Sequence, residues 1–324
     1  MVIIMKNIAV CADFVTGPCR RQINEAAEKA GFSVDYFETQ AALAEKIADY
    51  EILFGYISPA LLPGAKQMRW LCTASAGVDH YMDASLWPDP DCILTNSSGA
   101  YGPTISEHIV MVSLMLLRRM PEYQPAIDRH EWTLFSPIRS LIGSSVVILG
   151  TGDIGSHTAR RMKAMGASVI GVNRSGKSGE TAFDKIIPSS ELDSVLPAVD
   201  LLVMALPATP ETAGILSRER IALLPSSAFV INVGRGSAID QDALAEALQA
   251  HCLAGAALDV MVPEPLPADH PLWTCPNTIL TPHISGNMSL GLTCQLAVEM
   301  FCQDLAHYAA GEPLEHLVDR VRGY

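Results

Sequence analysis

Residues 144–166 read SSVVILGTGDIGSHTARRMKAMG and hold three glycines in the spacing G-x-G-x-x-G. The run before the first glycine is apolar, as in a buried strand, and the run after the third has the period of an amphipathic helix. In this context Gly150 makes the tight turn, Gly152 lets the backbone approach a pyrophosphate, and Gly155 lets the helix pack closely on the strand. The stretch therefore predicts a strand–turn–helix unit that binds a dinucleotide.

The first amides of the predicted helix complete this site. The backbone N–H groups of Asp153 and Ile154 would face the phosphates, and the helix dipole would favour negative charge there. A glycine-rich turn without a ligand is the alternative, but the flanking strand and helix favour the nucleotide.

The second strand of this unit ends in residues 172–177, VNRSGK. An acidic residue at this place would accept hydrogen bonds from the adenosine ribose and select NAD. Asn173, Arg174 and Ser175 stand there instead. Arg174 can hold a 2′-phosphate through a bidentate contact, Ser175 can donate a hydrogen bond to it, and Lys177 can add charge. Solvated loop cations are the alternative, but on balance the loop predicts NADP(H) in preference to NAD(H).

The composition limits the classes of protein to consider. The chain has 324 residues, of which 49% are hydrophobic and 18% charged, and its formal net charge is −13. This length predicts two domains, and this composition supports large buried cores rather than disorder. The negative charge argues against binding to nucleic acid or to an anionic membrane surface.

Targeting and metal-binding patterns are not expected from the sequence. Residues 1–14, MVIIMKNIAVCADF, lack the basic start and the cleavage site of a signal peptide, and the apolar runs are shorter than a membrane helix. The eight cysteines form no CxxC pair, which argues against a zinc site, and reduced thiols suit a cytosolic protein. We expect a cytoplasmic protein without a metal.

Short apolar runs alternate with amphipathic helical patterns along the chain, which indicates parallel sheets with helices on both faces. The predicted strands are residues 7–12, 33–38, 51–57, 69–77 and 91–99, followed by 144–150, 167–173, 199–207, 228–234, 254–260 and 278–283. The predicted helices between them are residues 21–31, 39–50, 154–166 and 241–252. The sequence thus predicts an α/β protein of two doubly wound parallel-sheet units.

One segment leads from the first unit to the second. Pro103 can begin a helix, Thr104 and Glu107 have the spacing of a capping box, and residues 109–117 are apolar all round, as in a buried helix. A last helix at about residues 290–310 is expected to return to the first sheet and cover its open face. The predicted domains are residues 1–100 with 288–324, and residues 101–287.

Three polar residues follow predicted strands of the second unit, where ligands of doubly wound sheets bind. They are Arg235 in INVGRGSAID, Glu264 in ALDVMVPEPLP and His283 in LTPHISG. Arg235 can hold a 2-keto acid by its carboxylate, and protonated His283 can give its proton to the carbonyl oxygen as hydride arrives. Glu264 can hold the imidazole in one tautomer and favour its protonated form. Each residue alone has an ordinary structural explanation, but together they indicate a hydride-transfer enzyme.

Several motifs follow one another in an order typical of one family. They are TASAGVDH and NSSGAYG in the first unit, and GTGDIG, ALPATPET, NVGRG, ALDVMVPEPLP, HPLW and TPHISG in the second. The chain resembles the D-2-hydroxyacid dehydrogenases, which include glyoxylate/hydroxypyruvate reductases and phosphoglycerate dehydrogenases. The resemblance implies a Rossmann nucleotide-binding domain inserted in a flavodoxin-like substrate domain, an active site between them, and a homodimer that pairs through the nucleotide domain.

The resemblance also implies roles for individual residues. It assigns Arg235, Glu264 and His283 to catalysis, with His283 as the proton donor and acceptor. It places four further residues in the cofactor site, Pro207, Val233, Gly234 and Asp259. It assigns the loop that receives the substrate carboxylate to Ala76, Gly77 and Val78. The expected reaction is the reduction of a small 2-keto acid, of the glyoxylate or hydroxypyruvate type, by NADPH.

Some features depart from the family or leave alternatives open. The acid after the second strand is absent, and Met261 stands where many relatives carry Phe. The Glu264–His283 pair argues against a formate dehydrogenase, for which Gln would be expected. The alternatives are a nucleotide-sensing protein without catalysis, like corepressors of this fold, and an enzyme for another oxyanion such as phosphite. The sequence does not name the keto acid, although Trp132 and the segment around Met288 are candidates for the walls of its site.

Overall fold

A computed structural model describes residues 6–177 and 179–323. Residues 1–14, which were judged above to lack the features of a signal peptide, therefore lie partly outside the described residues. The chain divides into two compact units, Met1–Tyr101 with Asn287–Tyr324, and Gly102–Gly286. Each unit has its own parallel sheet with helices around it. The predicted α/β class with two doubly wound parallel sheets is confirmed.

The first unit holds a five-stranded sheet. Its strands are β1 (Lys6–Cys11), β2 (Phe32–Tyr36), β3 (Ile52–Gly55), β4 (Trp70–Thr73) and β5 (Ile93–Thr95), and its first helices are α1 (Gly17–Ala30) and α2 (Gln40–Ala44). Neighbouring strands are parallel in the order β2-β1-β3-β4-β5. This is the flavodoxin-like order, in which the chain winds to one side of β1 and then to the other.

The second unit holds a seven-stranded sheet. Its elements are, in chain order, α3 (Gly102–Leu117), α4 (Met120–Asp128), β6 (Ser145–Leu149), α5 (Asp153–Ala164), β7 (Ser168–Asn173), β8 (Lys185–Pro188), β9 (Leu201–Met204), α6 (Arg218–Leu223), β10 (Phe229–Asn232), α7 (Gln241–Gln249), β11 (Gly255–Leu258) and β12 (Thr278–Leu280). The strands are parallel in the order β12-β11-β10-β9-β6-β7-β8, so the winding reverses between β6 and β9. Because parallel strands share one direction, the loops after β6, β9, β10, β11 and β12 gather at one edge of the sheet.

The last helix, α8 (Gly291–Ala310), packs on the sheet of the first unit, as the sequence predicts. Phe301 is fully buried and stacks on Phe54 with ring centroids 4.3 Å apart, and its ring lies 5.5 Å from that of Trp70. Val298 of the same helix is buried in this cluster. Together with Ile23 and Ala27 of α1, the helix covers this face of the sheet. Each large side chain buried in this way contributes about 1.5–3 kcal/mol.

Some elements differ from the sequence prediction. The helix predicted at residues 39–50 ends at Ala44, and a 3-10 turn at Ile47–Asp49 then places Ile47 in the core. The sequence does not predict β8, α4 and α6, because their apolar patterns are weak. β8 and α6 each bury a single residue, and α4 buries only Ala126 and contains Pro125. The strands are shorter than predicted, since the residues at their carboxyl ends belong to the loops that form the site.

Helix α3 also corrects two expectations. It begins at Gly102, so Thr104 lies inside the helix and is not its N-cap, and Glu107 instead forms a 3.8 Å ion pair with an arginine of α5. The predicted capping box is therefore wrong. Ile109 is fully buried but Met111 is 48% exposed, so the helix is buried on one side rather than all round. No helix within residues 6–177 and 179–323 has the length and apolar character needed to cross a membrane.

Candidate active site

The glycine loop lies between β6 and α5. Gly150 has a φ of 99°, and a Cβ atom there would lie 2.5 Å from the carbonyl oxygen of Ala205. A Cβ atom on Gly155 would lie 1.9 Å from the carbonyl oxygen of Gly150, whereas one on Gly152 would meet no described atom within 4 Å beyond its chain neighbours. The protein's own backbone thus requires glycine at 150 and 155, and the open space beside Gly152 fits the close approach of a pyrophosphate.

Asp153 and Ile154 open α5. Because they belong to the first turn, their amides have no acceptor within the helix and remain suited to an anion. The carboxylate of Asp153 accepts a hydrogen bond from the backbone N–H of Gly102 at 2.7 Å. This bond ties the start of α3 to the start of α5, so the part of Asp153 that suits the phosphates is its amide.

Asn173 ends β7 and organises the loop that follows. Its Oδ1 accepts hydrogen bonds from the backbone N–H groups of Ser175 (3.1 Å) and Gly176 (2.7 Å), and its Nδ2 donates to the hydroxyl of Thr151 at 2.8 Å and to the carbonyl of Lys177 at 2.9 Å. The hydroxyl of Ser175 also has acceptors inside the loop, at Asn173 and at the Lys177 carbonyl. Both residues therefore shape the loop, and their predicted contacts with the cofactor stay predictions.

Two cations project from this loop. The side chains of Arg174 and Lys177 are exposed, and neither forms a hydrogen bond or an ion pair with any residue in 6–177 or 179–323. Arg174 has only a weak electrostatic interaction with Glu211. The backbone amide of Glu211 and the hydroxyl of Thr209 lower the pKa of the Glu211 carboxyl, and the charge of Arg174 lowers that pKa further. The guanidinium of Arg174 is therefore available to an anionic ligand.

The loops after β9 and β10 pack against each other through backbone atoms. A Cβ atom on Gly234 would lie 2.6 Å from both the nitrogen and the carbonyl oxygen of Leu206. Val233 is buried, and its N–H donates to the carbonyl of Met204 at 3.0 Å. Pro207 follows directly after Leu206 at the same edge of the sheet. The structure thus brings the predicted cofactor residues of these two loops together, although their contact with a cofactor stays a prediction.

Arg235 stands in a tight turn after β10. Asn232, fully buried at the end of the strand, accepts from the N–H of Gly234 at 3.0 Å and donates to the carbonyl of Arg235 at 2.9 Å. On the other side, a Cβ atom on Gly236 would lie 2.4 Å from backbone atoms of Met261. The turn that carries Arg235 therefore abuts the backbone that leads to Glu264.

Glu264 and His283 form a direct pair. The Oε2 atom of Glu264 lies 2.9 Å from Nδ1 of His283, and its Oε1 accepts from the backbone N–H of Met261 at 2.9 Å. The two side chains are 36% and 49% exposed. A carboxylate at Nδ1 requires a proton on that nitrogen, which leaves Nε2 to face a ligand.

Asp259 holds the turn in which His283 lies. It directly follows β11 and has 1% of its surface exposed. Its carboxylate accepts from the hydroxyl of Thr281 (2.6 Å) and from the N–H groups of Ile284 (2.8 Å) and Ser285 (2.9 Å). Its own carbonyl accepts the N–H of His283 at 2.9 Å. Burial alone would raise the pKa of Asp259, but the hydrogen bonds from Ser285, Thr281 and Ile284 outweigh it and lower that pKa. Asp259 positions His283, and its predicted contact with the cofactor stays a prediction.

The predicted substrate loop belongs to the first unit and follows β4. The carbonyl of Ala76 accepts a hydrogen bond from Nδ2 of Asn96 at 2.7 Å. Within the described residues of this unit, the backbone N–H groups of Ala76, Gly77 and Val78 donate no hydrogen bond. Three consecutive free amides suit a carboxylate. Met288, a predicted wall residue, is 7% exposed.

Comparisons with known proteins identify the family of the chain. Residues 110–285, more than half of the chain, match the family described as "D-isomer specific 2-hydroxyacid dehydrogenase, NAD binding domain". The chain belongs to the D-isomer specific 2-hydroxyacid dehydrogenase family. The predicted family and the predicted class of oxidoreductase are thereby confirmed. The protein is a D-2-hydroxyacid dehydrogenase that acts on a CH–OH group with NAD(P).

Three proteins of this family are similar to the dehydrogenase in sequence or structure. It is 34% identical over 220 residues to a glyoxylate/hydroxypyruvate reductase A of Serratia proteamaculans (strain 568), covering 68% of each chain. A family protein from Aeromonas salmonicida has a structure that matches with a TM-score of 0.85 and 33% identity, over 98% of this chain and 99% of that one. An NADPH-dependent glyoxylate/hydroxypyruvate reductase from Sinorhizobium meliloti, solved with NADP and sulfate, matches with a TM-score of 0.82 and 29% identity, over 98% and 100%.

The dehydrogenase also uses polar residues that the sequence did not single out. The side chains of Asn96, Asn232 and Gln241 bind backbone groups of the loops described above, and Thr281 and Ser285 donate to the carboxylate of Asp259. No periodic pattern marks such residues, because the partners of all but Asn232 lie about 20 or more positions away in sequence. Only the fold identifies them.

Proposed function

We propose that this dehydrogenase reduces a small 2-keto acid with NADPH, by a reaction of the glyoxylate/hydroxypyruvate reductase type. The observation that carries the proposal is the 2.9 Å pair of Glu264 and His283, in which Nε2 of the imidazole has no hydrogen bond to the described residues. The turn that bears Arg235 abuts the backbone of Met261, whose N–H donates to Glu264. A 2-keto acid needs a proton donor for its carbonyl oxygen and a cation for its carboxylate, and these residues are of those types.

The roles of the residues follow from their chemistry. When bound at the glycine loop, the nicotinamide cofactor supplies the hydride. Arg235 binds the substrate carboxylate and polarises the carbonyl at C2 through its fork of N–H donors. His283 gives the proton on Nε2 to the carbonyl oxygen, and Glu264 at Nδ1 orients the ring and stabilises the imidazolium form. In the other unit, the free amides of residues 76–78 are also of a type that binds a carboxylate.

NADPH is the proposed cofactor because of the loop after β7. Arg174 and Lys177 place two cations without ion pairs, among the described residues, where the adenosine ribose of such units lies. The open space beside Gly152 fits the pyrophosphate. The Sinorhizobium meliloti relative, solved with NADP, uses NADPH. The unit Gly102–Gly286 would then be the nucleotide domain and the other unit the substrate domain.

A homodimer is also part of the proposal. The second unit exposes large apolar side chains between α4 and β6, among them Trp132 (100% exposed), Leu134 (85%) and Ile142 (77%). Apolar side chains exposed in such number mark contact surfaces in soluble proteins. Light scattering of the wild type and of Trp132→Glu tests this, because the wild type should be dimeric and the variant should dissociate. A monomeric wild type would refute the dimer and would leave Trp132 as a possible wall residue.

A matched pair of histidine variants tests the reaction. His283 has a φ of 54° and His251, an exposed residue after α7, has a φ of 55°, so asparagine is tolerated equally well at both. We expect His283→Asn to lower kcat with glyoxylate or hydroxypyruvate by about 10²–10⁴-fold, while NADPH still binds and His251→Asn behaves as wild type. Near-normal turnover by His283→Asn would refute the proposed proton donor.

The same assay tests Arg235. Arg235→Ala should lower kcat/KM by orders of magnitude with the affinity for NADPH retained, since its contact is with the substrate. A screen of 2-keto acids with this set of variants would also identify the preferred substrate.

A further inference from the structure

The loop of residues 261–270 carries Glu264, and residues 262–265 are exposed between the buried side chains of Met261 and Leu266. Val262, two residues before Glu264, is 52% exposed. Leu266 is the buried side chain that follows. An exposed loop of this kind samples several conformations unless polar contacts hold its backbone. The position of Glu264 against His283 therefore depends on what binds the backbone beside it.

Gln241 binds that backbone at both of its polar groups. Its Oε1 accepts the N–H of Val262 at 3.0 Å, and its Nε2 donates to the carbonyl of Val262 at 2.8 Å. A glutamine carboxamide has one donor side and one acceptor side. It can therefore pair with both the N–H and the C=O of one residue, as a neighbouring strand would. Glutamate would supply only the acceptor, and leucine would supply neither.

The base of Gln241 is rigid. It is the first residue of α7, whose N-cap Asp240 accepts from the N–H of Ala243 at 3.0 Å. Leu244 and Leu248 of the same helix are fully buried in the core of the second unit. The side chain of Gln241 thus connects the exposed loop to the core over a short distance.

His270 of the HPLW motif stands beside the carboxamide. Its Nε2 lies 3.0 Å from Nε2 of Gln241, and its Nδ1 lies 3.1 Å from the backbone nitrogen of Leu272. A neutral imidazole has one acceptor nitrogen, so it accepts from one of these two donors at a time. In either case the ring, which is 13% exposed, lies against the carboxamide of Gln241.

We propose that Gln241 is a positioning residue of the active site, which sets the Glu264–His283 pair by clamping the backbone at Val262, with His270 holding the clamp in place. The proposal rests on the proposed role of Glu264. Gln241 itself touches neither substrate nor cofactor and acts through the loop. Its loss should lower turnover rather than nucleotide affinity.

A double-mutant cycle tests the proposal. Gln241→Leu keeps the size of the side chain and removes both hydrogen bonds; we expect it to lower kcat about tenfold, because small misplacements of a catalytic group have large effects on rate. The KM for NADPH should change by less than about twofold, since the glycine loop is untouched. In a Glu264→Gln background, where the carboxylate is already lost, the same substitution should have almost no effect.

Controls separate this role from general stability. Gln249→Leu alters the exposed last residue of the same helix and should leave kcat unchanged. Gln241→Glu keeps the acceptor for the Val262 N–H and should retain more activity than Gln241→Leu. Hydrogen exchange should show the Val262 amide less protected in Gln241→Leu than in the wild type, even if activity is too low to measure.

The outcomes are distinguishable. An unchanged kcat in Gln241→Leu, or an equal fold-loss in both backgrounds, would overturn the positioning role. If Glu264→Gln itself turned over normally, the proposed catalytic role of Glu264 would be wrong instead.

Discussion

Replacement of Arg174 by alanine should change the choice of cofactor more than the catalytic rate. The guanidinium is exposed and has no hydrogen bond or ion pair among residues 6–177 and 179–323, so its removal breaks no described contact of the fold. NADPH carries a 2′-phosphate at the ribose that this loop faces in units of this kind, whereas NADH carries a hydroxyl. The variant therefore should lose affinity for NADPH alone.

The magnitude follows from the type of bond. A hydrogen bond to a charged group contributes about 1.5–3 kcal/mol, and 1.36 kcal/mol corresponds to a factor of ten. Arg174 is exposed to solvent, and its charge already interacts with Glu211. The lower end of this energy range therefore applies to its bond with the 2′-phosphate. We expect the Kd for NADPH to rise about tenfold and the Kd for NADH to change by less than about twofold.

Fluorescence titration of both cofactors against the wild type and Arg174→Ala measures the two constants. Arg218→Ala is the control, because it removes an exposed arginine that pairs with Glu246 far along the chain. Added salt should reduce the difference between the Kd values of wild type and variant for NADPH, since the contact with Arg174 is electrostatic. An equal rise in Kd for both cofactors would refute the reasoning and leave Arg174 as a solvated loop residue.

Four further substitutions test other parts of the structure. Gly155→Ala should prevent stable folding of the second unit, because its Cβ would lie 1.9 Å from a backbone oxygen, whereas Gly152→Ala should unfold at the wild-type temperature and lose NADPH affinity. Asp259→Asn should lower kcat by displacing His283. Because the folded-state pKa of Asp259 is lowered, its carboxylate should stabilise the wild type above about pH 4, and this stability should be lost as the pH falls further. Urea titration should find that this pH dependence of stability is weaker in the variant. Phe301→Ala should cost about 3–5 kcal/mol of unfolding free energy in the first unit, measured by chemical denaturation; a loss below 1 kcal/mol would contradict the stacked packing of α8.

Much of the fold could be predicted because its signals are local. Alternating apolar runs and helical periods indicate parallel α/β units, and the glycine spacing of residues 150–155 marks the start of α5. β8 and α6 could not be predicted, since each buries a single residue and so has no clear apolar pattern. The predicted capping box at Thr104 is wrong because the helix already begins at Gly102. The three-residue spacing of Thr104 and Glu107 does not indicate where the helix starts.

The sequence by itself determined which residues are candidates for the proposed chemistry, because each of Arg235, Glu264 and His283 follows a recognisable strand within a specific motif. The tertiary structure decided how they are held. The pairing of Glu264 with His283, the buried bonds of Asp259 and the clamp of Gln241 join residues about 20 positions apart. Such pairings leave no local pattern, because they depend on parallel strands that bring their carboxyl ends to one edge of the sheet.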